Sequence, residues 1–523
     1  MLRPSPITRV RALSAPLALL CLPSLAIAQF GSQEVIQTIS SIIDMRSFDA
    51  DNDGDPDLVV ANVASQLYYF ENLGGGAGFG TGQLIHTGPS SLRKLRNADI
   101  DDDGIQDIVY AAEAQSGVYW LRGLGGATFA AAAAITSGNF RSSDVVVADL
   151  DQDGDLDIAA TTQVLPTNTV AWFENTGGAT FAAHVVIATT SNGPVALEVG
   201  DINADGRLDL VVGSRNDDKI VWFENLGSGV FSNERLITTG ADDLRDLSLA
   251  DVEQNGSLDV IYASFGDDTV GWFAGSGSGT FGARQIIDNA MDGATVVKAV
   301  DIDLDGDVDV VAGAFNSDLV AYYENVGFGF FGVAQPLTGA GTLSANGVRS
   351  VLPMDVDGDA DIDVLSGSQL DAKLALYRNI RTLGTTYCAS NPNSTGVAGV
   401  LSLTGSELRS LNALVMTATE LPPSSFGFFL TSRTTNMVAN PAGSQGVLCL
   451  GGSIGRYVGP GQIQFSGVVR RIRLRADLED MPTPTGGVAA TVGQTWHFQA
   501  WHRDTVSGAP TSNFTDAVSL QVR

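Results

Sequence analysis

Apolar residues in this chain fall in short runs closed by Gly, Asp, Asn or Ser, and the runs recur in a long cycle. The stretch from Phe231 to Thr280 shows one full cycle. It opens with F-S-N-E-R-L-I-T-T, a short strand ending at Leu236-Ile237, and after a turn reads D-L-S-L-A up to Asp251. An acidic loop follows, then D-V-I-Y-A-S (Asp259 to Ser264), a Gly-Asp-Asp turn, and T-V-G-W-F before a Gly/Ser-rich turn. Short β-prone segments bounded by turn residues predict four strands per cycle. No stretch carries the periodicity of a long amphipathic helix.

The cycle returns seven times, at an interval of about fifty residues. Its third strand reads L-Y-Y-F-E-N (Leu67 to Asn72), V-A-W-F-E-N (Val170 to Asn175), V-W-F-E-N (Val221 to Asn225) and A-Y-Y-E-N (Ala321 to Asn325). Trp120, Trp172, Trp222 and Trp272 recur at one position, where packing between units is expected. Four-stranded units at this period predict an all-β fold, a seven-bladed β-propeller. The seventh unit ends at L-A-L-Y-R-N (Leu374 to Asn379) without an outer strand after it. The segment F-G-S-Q-E-V-I-Q-T-I (Phe30 to Ile39) is that missing strand, and pairing it with the last blade would cover two open edges.

A chain of 523 residues should hold at least two domains. Only 17% of residues are charged and 60 are Gly, a β-rich and turn-rich composition. The formal net charge is −30, and because arginines outnumber acids from Arg381 onward, the negative charge is concentrated in the repeats. Such a field argues against nucleic acid as a partner and for metal cations. Residues 1–28 read as a bacterial export signal: Arg3, Arg9 and Arg11 precede an apolar run, and Ala26-Ile27-Ala28 offers a cleavage site. Cys21 would suggest a lipoprotein, but Leu20 before it is bulky for that signal. A secreted or surface-associated protein is expected, and Cys388 and Cys449 are then expected to form one disulfide.

The candidate chemistry lies in seven variants of D-x-D-x-D-G-x-x-D. The first three place carboxylates at Asp49, Asp51, Asp53 and Asp57, at Asp99, Asp101, Asp103 and Asp107, and at Asp149, Asp151, Asp153 and Asp157. The fourth has Asp201, Asn203, Asp205 and Asp209, and the fifth Asp251, Glu253, Asn255 and Asp259. The sixth has Asp301, Asp303, Asp305 and Asp309, and the seventh Asp355, Asp357, Asp359 and Asp363. Several oxygen donors in a flexible loop, with the carbonyl of Asp307 or its equivalent, favour Ca²⁺ over Mg²⁺. An EF-hand would need a bidentate Glu at the twelfth position and a following helix. Here Val60, Tyr110, Ala160, Val212, Tyr262, Ala312 and Ser366 stand at that position, and strand formers follow. The loops at Asp251 and Asp355 are expected to bind most weakly. The first of these has lost a charge, and the second has Ala360 where Gly is expected, which strains a left-handed backbone.

With these loops and the Phe-Gly pairs at Phe30, Phe79, Phe281 and Phe331, the chain resembles the FG-GAP/VCBS repeat family, the propeller of integrin α chains and many bacterial secreted proteins. Kelch repeats share the period but lack the acidic loop. The resemblance covers residues 29–380. It implies calcium-stabilised blades and recognition on the face away from the acidic loops, where Arg215, Asp217, Asp218, Asp267, Asp268, Asn316 and Asp318 are candidate contacts.

The period stops after Ile380, and residues 381–523 read as a β-sandwich-like module. Within it, Arg470, Arg471, Arg473 and Arg475 are expected on one strand face, solvated or turned to envelope glycans or the acidic propeller. No G-x-S-x-G, H-E-x-x-H or phosphate-binding loop occurs in a usable context, and none of His86, His184, His497 and His502 has a repeating partner. The expected function is a monomeric, non-enzymatic extracellular module that binds a protein or glycan. The alternatives are a glycan-binding lectin and a polysaccharide-active enzyme on a propeller scaffold.

Overall fold

The computed structural model describes residues 30–523 except 75, 89–90, 114–116, 137–139, 164–167, 190, 339–344 and 507. The expected export signal therefore lies outside the described residues. The described chain is almost entirely strand and turn, and none of its helices is long and apolar enough to cross a membrane.

Seven four-stranded antiparallel sheets follow one another. In the first, Ile42–Phe48 is innermost, followed by Asp57–Asn62, Gln66–Phe70 and Gln83–Thr87. The second strand of every blade is buried at all six positions, as in Asp57–Asn62, Asp209–Ser214 and Asp363–Ser368. Neighbouring blades cover both of its faces, which is why it reads as a continuous apolar run and not an alternating one. The innermost strands pack side by side around the ring, and that of blade seven, Val348–Met354, lies against that of blade one.

The ring closes as the sequence predicts. Glu34–Thr38 pairs antiparallel with Lys373–Tyr377 and becomes the outer strand of blade seven. Phe30 bridges Asn379 as Phe79, Phe181, Phe231 and Phe331 bridge Asn72, Asn175, Asn225 and Asn325. Trp172, Trp222 and Trp272 are buried, each beneath a turn of the following blade. A side chain at Gly229 or Gly279 would stand 2.0 or 2.4 Å from the Trp172 or Trp222 ring, so these positions need glycine. Blade two departs from the pattern with an extra hairpin, Gly123–Gly125 with Thr128–Phe129, and an outer strand of only Ala133–Ala134.

Every innermost strand begins with a β-bulge. Pairing with the second strand slips at Ile43, Arg93, Ser143, Val195, Arg245, Thr295 and Arg349. A bulge re-aims the extra residue, and all seven line the mouth of the central channel. Deeper in, the channel is filled by ion pairs, among them Lys94 with Asp246 at 2.9 Å and Lys298 with Asp246 at 3.0 Å.

The remaining residues form two small two-stranded sheets, Thr435–Ala439 with Val447–Leu450 and Met481–Thr483 with Gly486–Val488, and two facing sheets. One contains Thr385–Cys388, Ala509–Gln521, Thr495–Val506 and Phe426–Ser432 in that order, with two short strands beside the last. The other contains Val400–Thr404, Val415–Thr419 and Ile472–Arg475. Leu403, Met416, Phe429, Trp496 and Phe498 fill the space between them. Cys388 and Cys449 are disulfide-bonded, with Cα atoms 6.3 Å apart. One expectation fails here: the strand runs Ile472–Arg475, so Arg473 and Arg475 lie on it but Arg470 and Arg471 precede it. Arg470 is left-handed, with a φ of 59°, and pairs with Glu420 at 3.1 Å.

Candidate cation loops and the opposite face

Each acidic loop joins the innermost strand of a blade to the second, and backbone amides organise its carboxylates. In the sixth loop, Asp301 accepts from the N–H groups of Asp305 (3.1 Å) and Gly306 (3.0 Å). Asp309 accepts from Ile302 N–H (3.0 Å) and from Asn325 N–H at the end of the third strand (2.8 Å). Equivalent pairs of bonds hold Asp57, Asp107, Asp157, Asp209, Asp259 and Asp363. The ninth-position Asp is thus a buried clip as well as a candidate ligand. Two loop positions are left-handed. Gly306 (φ 98°) and its five glycine equivalents take one, and Leu304 (φ 56°) marks the other. The seventh loop exchanges them, with Gly358 at φ 72° and Ala360 at φ 62°.

Carboxylate oxygens gather within 4.8 Å of one another in five loops: Asp49, Asp51 and Asp53; Asp99, Asp101 and Asp107; Asp149, Asp151 and Asp157; Asp301, Asp303 and Asp309; Asp355, Asp357 and Asp359. Several of these oxygens are buried without a hydrogen-bond partner, including Asp101 Oδ1, Asp303 Oδ2 and Asp357 Oδ1. Asp361, at the seventh position of the last loop, is 1% exposed with both oxygens unpartnered. Burial, followed by the carboxylates of Asp363 and Asp357, pushes Asp361 up to about 9. Burial likewise raises Asp309 to about 8, and Asp303 is raised by burial and then by Asp309 and Asp305. Buried carboxylates without partners are costly, and an all-oxygen set of this kind fits a hard divalent cation.

The loops differ in what else reaches them. Asn203 of the fourth loop donates to Glu224 (3.1 Å), which lies just past the third strand, and Glu174 and Glu324 occupy the same position in blades three and six. In blade two that position is Arg122, 2.5 Å from Asp101 and 2.7 Å from Asp103. In blade seven it is Arg378, 3.0 Å from Asp357, to which Arg473 of the C-terminal domain adds a 2.6 Å bond to the carbonyl. Arg207 pairs with Asp205 in the fourth loop, and Asn255 donates to Glu253 in the fifth. Loop three carries no such guanidinium among the described residues, and in loop six the charge of the buried Arg381 reaches Asp303 without an ion-pair contact. The Glu of E-N recurs directly after the third strand, and its replacement by Arg122 and Arg378 marks in the sequence the two loops that such an arginine reaches.

The C-terminal domain seats on loops six and seven. Ser406 donates to Leu304 O (2.8 Å), Thr404 to Asp359 O (3.0 Å), and the buried Arg381 pairs with Glu407 (3.1 Å).

On the opposite face, the candidate contact residues hold the ring itself. Asp218, Asp268 and Asp318 accept from the backbone N–H groups of Asp243, Gly293 and Gly347 in the next blade. Asp217 accepts from Asn192 N–H, Asp267 from Ser264 and Arg284, and Asn316 donates to Asp292. Arg215 bonds Asp243 at 2.8 Å, and of the seven it alone lines the channel mouth. His86 contacts the Tyr110 hydroxyl and His184 packs on Phe140 and Phe173, a packing role for both.

The FG-GAP-like repeat family matches residues 99–160, 164–212, 201–262 and 251–312. The four matched segments are FG-GAP-like repeats, and they lie within the β-propeller ring. No curated protein matches the chain. Among solved structures, it is similar to an Agrocybe aegerita lectin that recognises non-reducing terminal N-acetylglucosamine (23% identity, 57% of this chain and 81% of that one, TM-score 0.44). It is also similar to BBS1N in complex with ARL6DN (15% identity, 68% and 98%, TM-score 0.48) and to the Dos1 propeller (12% identity, 65% and 78%, TM-score 0.43).

Proposed function

We propose that this protein is an extracellular binding module whose blades are stabilised by Ca²⁺ in the acidic loops, with a protein or glycan partner taken on the opposite face. The observation that carries the calcium reading is the set of buried carboxylate oxygens without a hydrogen-bond partner, at Asp101, Asp303, Asp357 and Asp361. A cation supplies the missing partner, and the surrounding chain does the positioning: backbone amides fix the first and ninth Asp of each loop. A site with a Kd of about 10⁻⁴ M in millimolar calcium would add roughly 1–2 kcal/mol, so several such sites would rival the stability of an ordinary domain. The disulfide and the export-signal pattern of residues 1–28 support a location outside the cytoplasm. Cation-cage duty for these acids, and the lack of any other catalytic grouping in the sequence, favour binding over catalysis.

The test is thermal unfolding of the full chain with millimolar calcium and with chelator. Calcium should raise the midpoint by many degrees and magnesium by much less. An unchanged midpoint would refute the calcium reading. A glycan array and an envelope pull-down, each with and without calcium, then separate a sugar from a protein partner.

A further inference from the structure

The channel mouth on the face away from the acidic loops holds a cavity of about 190 Å³. Three of the seven bulged residues that ring it are arginines, Arg93, Arg245 and Arg349, and Arg215 joins them from the end of a second strand. Three of these four guanidinium groups pair with two carboxylates. Glu113 pairs with Arg93 at 2.6 Å, while Asp243 serves both Arg215 (2.8 Å) and Arg245 (2.7 Å). Arg349 has no carboxylate partner among the described residues. Its Nε donates to Gln369 at 2.8 Å, and its guanidinium lies 4.4 Å from the Phe315 ring centre. Arg245 stacks in the same way on Phe265, and its Nε is buried without a hydrogen-bond partner.

This arrangement runs against the charge of the chain as a whole, which is formally −30. Burial, and then the like charges of Arg245, Arg93 and Arg215, hold the Arg349 guanidinium down at about 10, so it still carries its charge at neutral pH. The strands and aromatic stacking fix the cluster in place, leaving one buried donor, Arg245 Nε, that no described residue fills. Lys94, paired with Asp246 at 2.9 Å, also lines the cavity, so an ion pair forms part of the wall of this cup. Stacked, fork-shaped guanidinium groups suit planar or tetrahedral oxyanions.

We propose that this cup binds an oxyanion (a carboxylate, sulfate or phosphate group) carried by a ligand that enters from the face opposite the acidic loops. The inference deepens the proposed function by naming the ligand chemistry of the recognition face, and it does not depend on calcium occupancy.

The test is calorimetric titration of the full chain in calcium buffer with glucuronate, sulfate and glucose 6-phosphate, against chloride at matched ionic strength. At least one should bind saturably at a single site, and the tightest of the three names the anion. Arg349→Gln and Arg245→Gln should each weaken that binding roughly tenfold or more, while Arg456→Gln, on the C-terminal domain, should not. Arg349→Gln relieves like-charge repulsion, so its unliganded melting temperature should not fall. If no anion binds beyond the chloride control, or both channel variants bind as well as the parent, the proposal is overturned. Loss of the calcium effect on melting with anion binding intact would sink only the calcium reading.

Discussion

Asn72 donates its side-chain amide to the main-chain carbonyl of Val356, 3.0 Å away and 284 residues along the chain. The bond crosses the seam between the first and last blades. Asn175, Asn225, Asn325 and Asn379 make the same bond to Ile100, Leu150, Val252 and Ile302 of the preceding blade. Blades two and five have Gly123 and Gly275 at that position and lack the latch. The repeats are therefore joined by polar clips as well as by packed faces.

Replacing Asn72 by Ala strands the buried Val356 carbonyl and also removes a bond to Pro56 O. Losing a buried partner costs about 1–3 kcal/mol. Asn72→Ala should lower the denaturation midpoint accordingly without changing the secondary structure seen by circular dichroism. A change below about 0.5 kcal/mol would show that the latch contributes little.

Guanidinium groups should rank the acidic loops. Arg122 holds Asp101 and Asp103 as a built-in cation, so the second loop has less need of a metal. Arg122→Gln removes that competitor, and calcium stoichiometry at low free calcium should rise by about one site. The matching change at Glu324, to Gln, should weaken a site in blade six. Equal stoichiometry in the parent and the Arg122 variant would contradict this ranking.

The four-strand cycle, the ring and the closing strand were legible because each rests on local pattern: turn residues, apolar runs and the Phe that bridges Asn. The acidic loops were legible for the same reason. What was not legible lies between separate strands, across blades and between the two domains. Arg378 meets Asp357 from a different strand, Asp218 caps the next blade, and the C-terminal domain covers loops six and seven. The arginines of the cup, Arg93, Arg245 and Arg349, sit 152 and 104 residues apart in sequence. Only the bulge at the start of each innermost strand turns them toward one point.

The charged plug in the channel sets an acid limit. Burial works to raise Asp246, but the ammonium groups of Lys298 and Lys94 overcome it and hold the carboxyl well below the usual carboxylate range. Its folded-state pKa is depressed, so the stability it contributes is present above the ordinary value near 4 and is lost as pH falls below it. Asp246→Asn leaves two buried ammonium groups without their partner and should cost about 3–5 kcal/mol at pH 7. The difference between variant and parent should shrink as pH drops from 5 to 3 in urea unfolding. A difference independent of pH would rule out this ion pair as its source.

The seventh loop offers a gain of stability. Six loops place Gly at the sixth position, but here Ala360 adopts φ 62°, a region that costs an L-residue with a Cβ about 1–2 kcal/mol. Gly358, two residues earlier, already occupies the other left-handed position, so Ala360→Gly would give this loop glycine at both. Glycine also gains freedom in the unfolded chain, which offsets part of the benefit. The expected net stabilisation is therefore about 0.5–1 kcal/mol. The reverse change in the sixth loop, Gly306→Ala, meets only the Leu408 side chain at 3.5 Å, an ordinary contact, so its cost comes from a φ of 98° and not from crowding. Gly306→Ala should destabilise by about 1–2 kcal/mol, and both values are to be read from urea midpoints in saturating calcium. If Ala360→Gly destabilises the protein instead, the left-handed backbone of the seventh loop is not where its weakness lies.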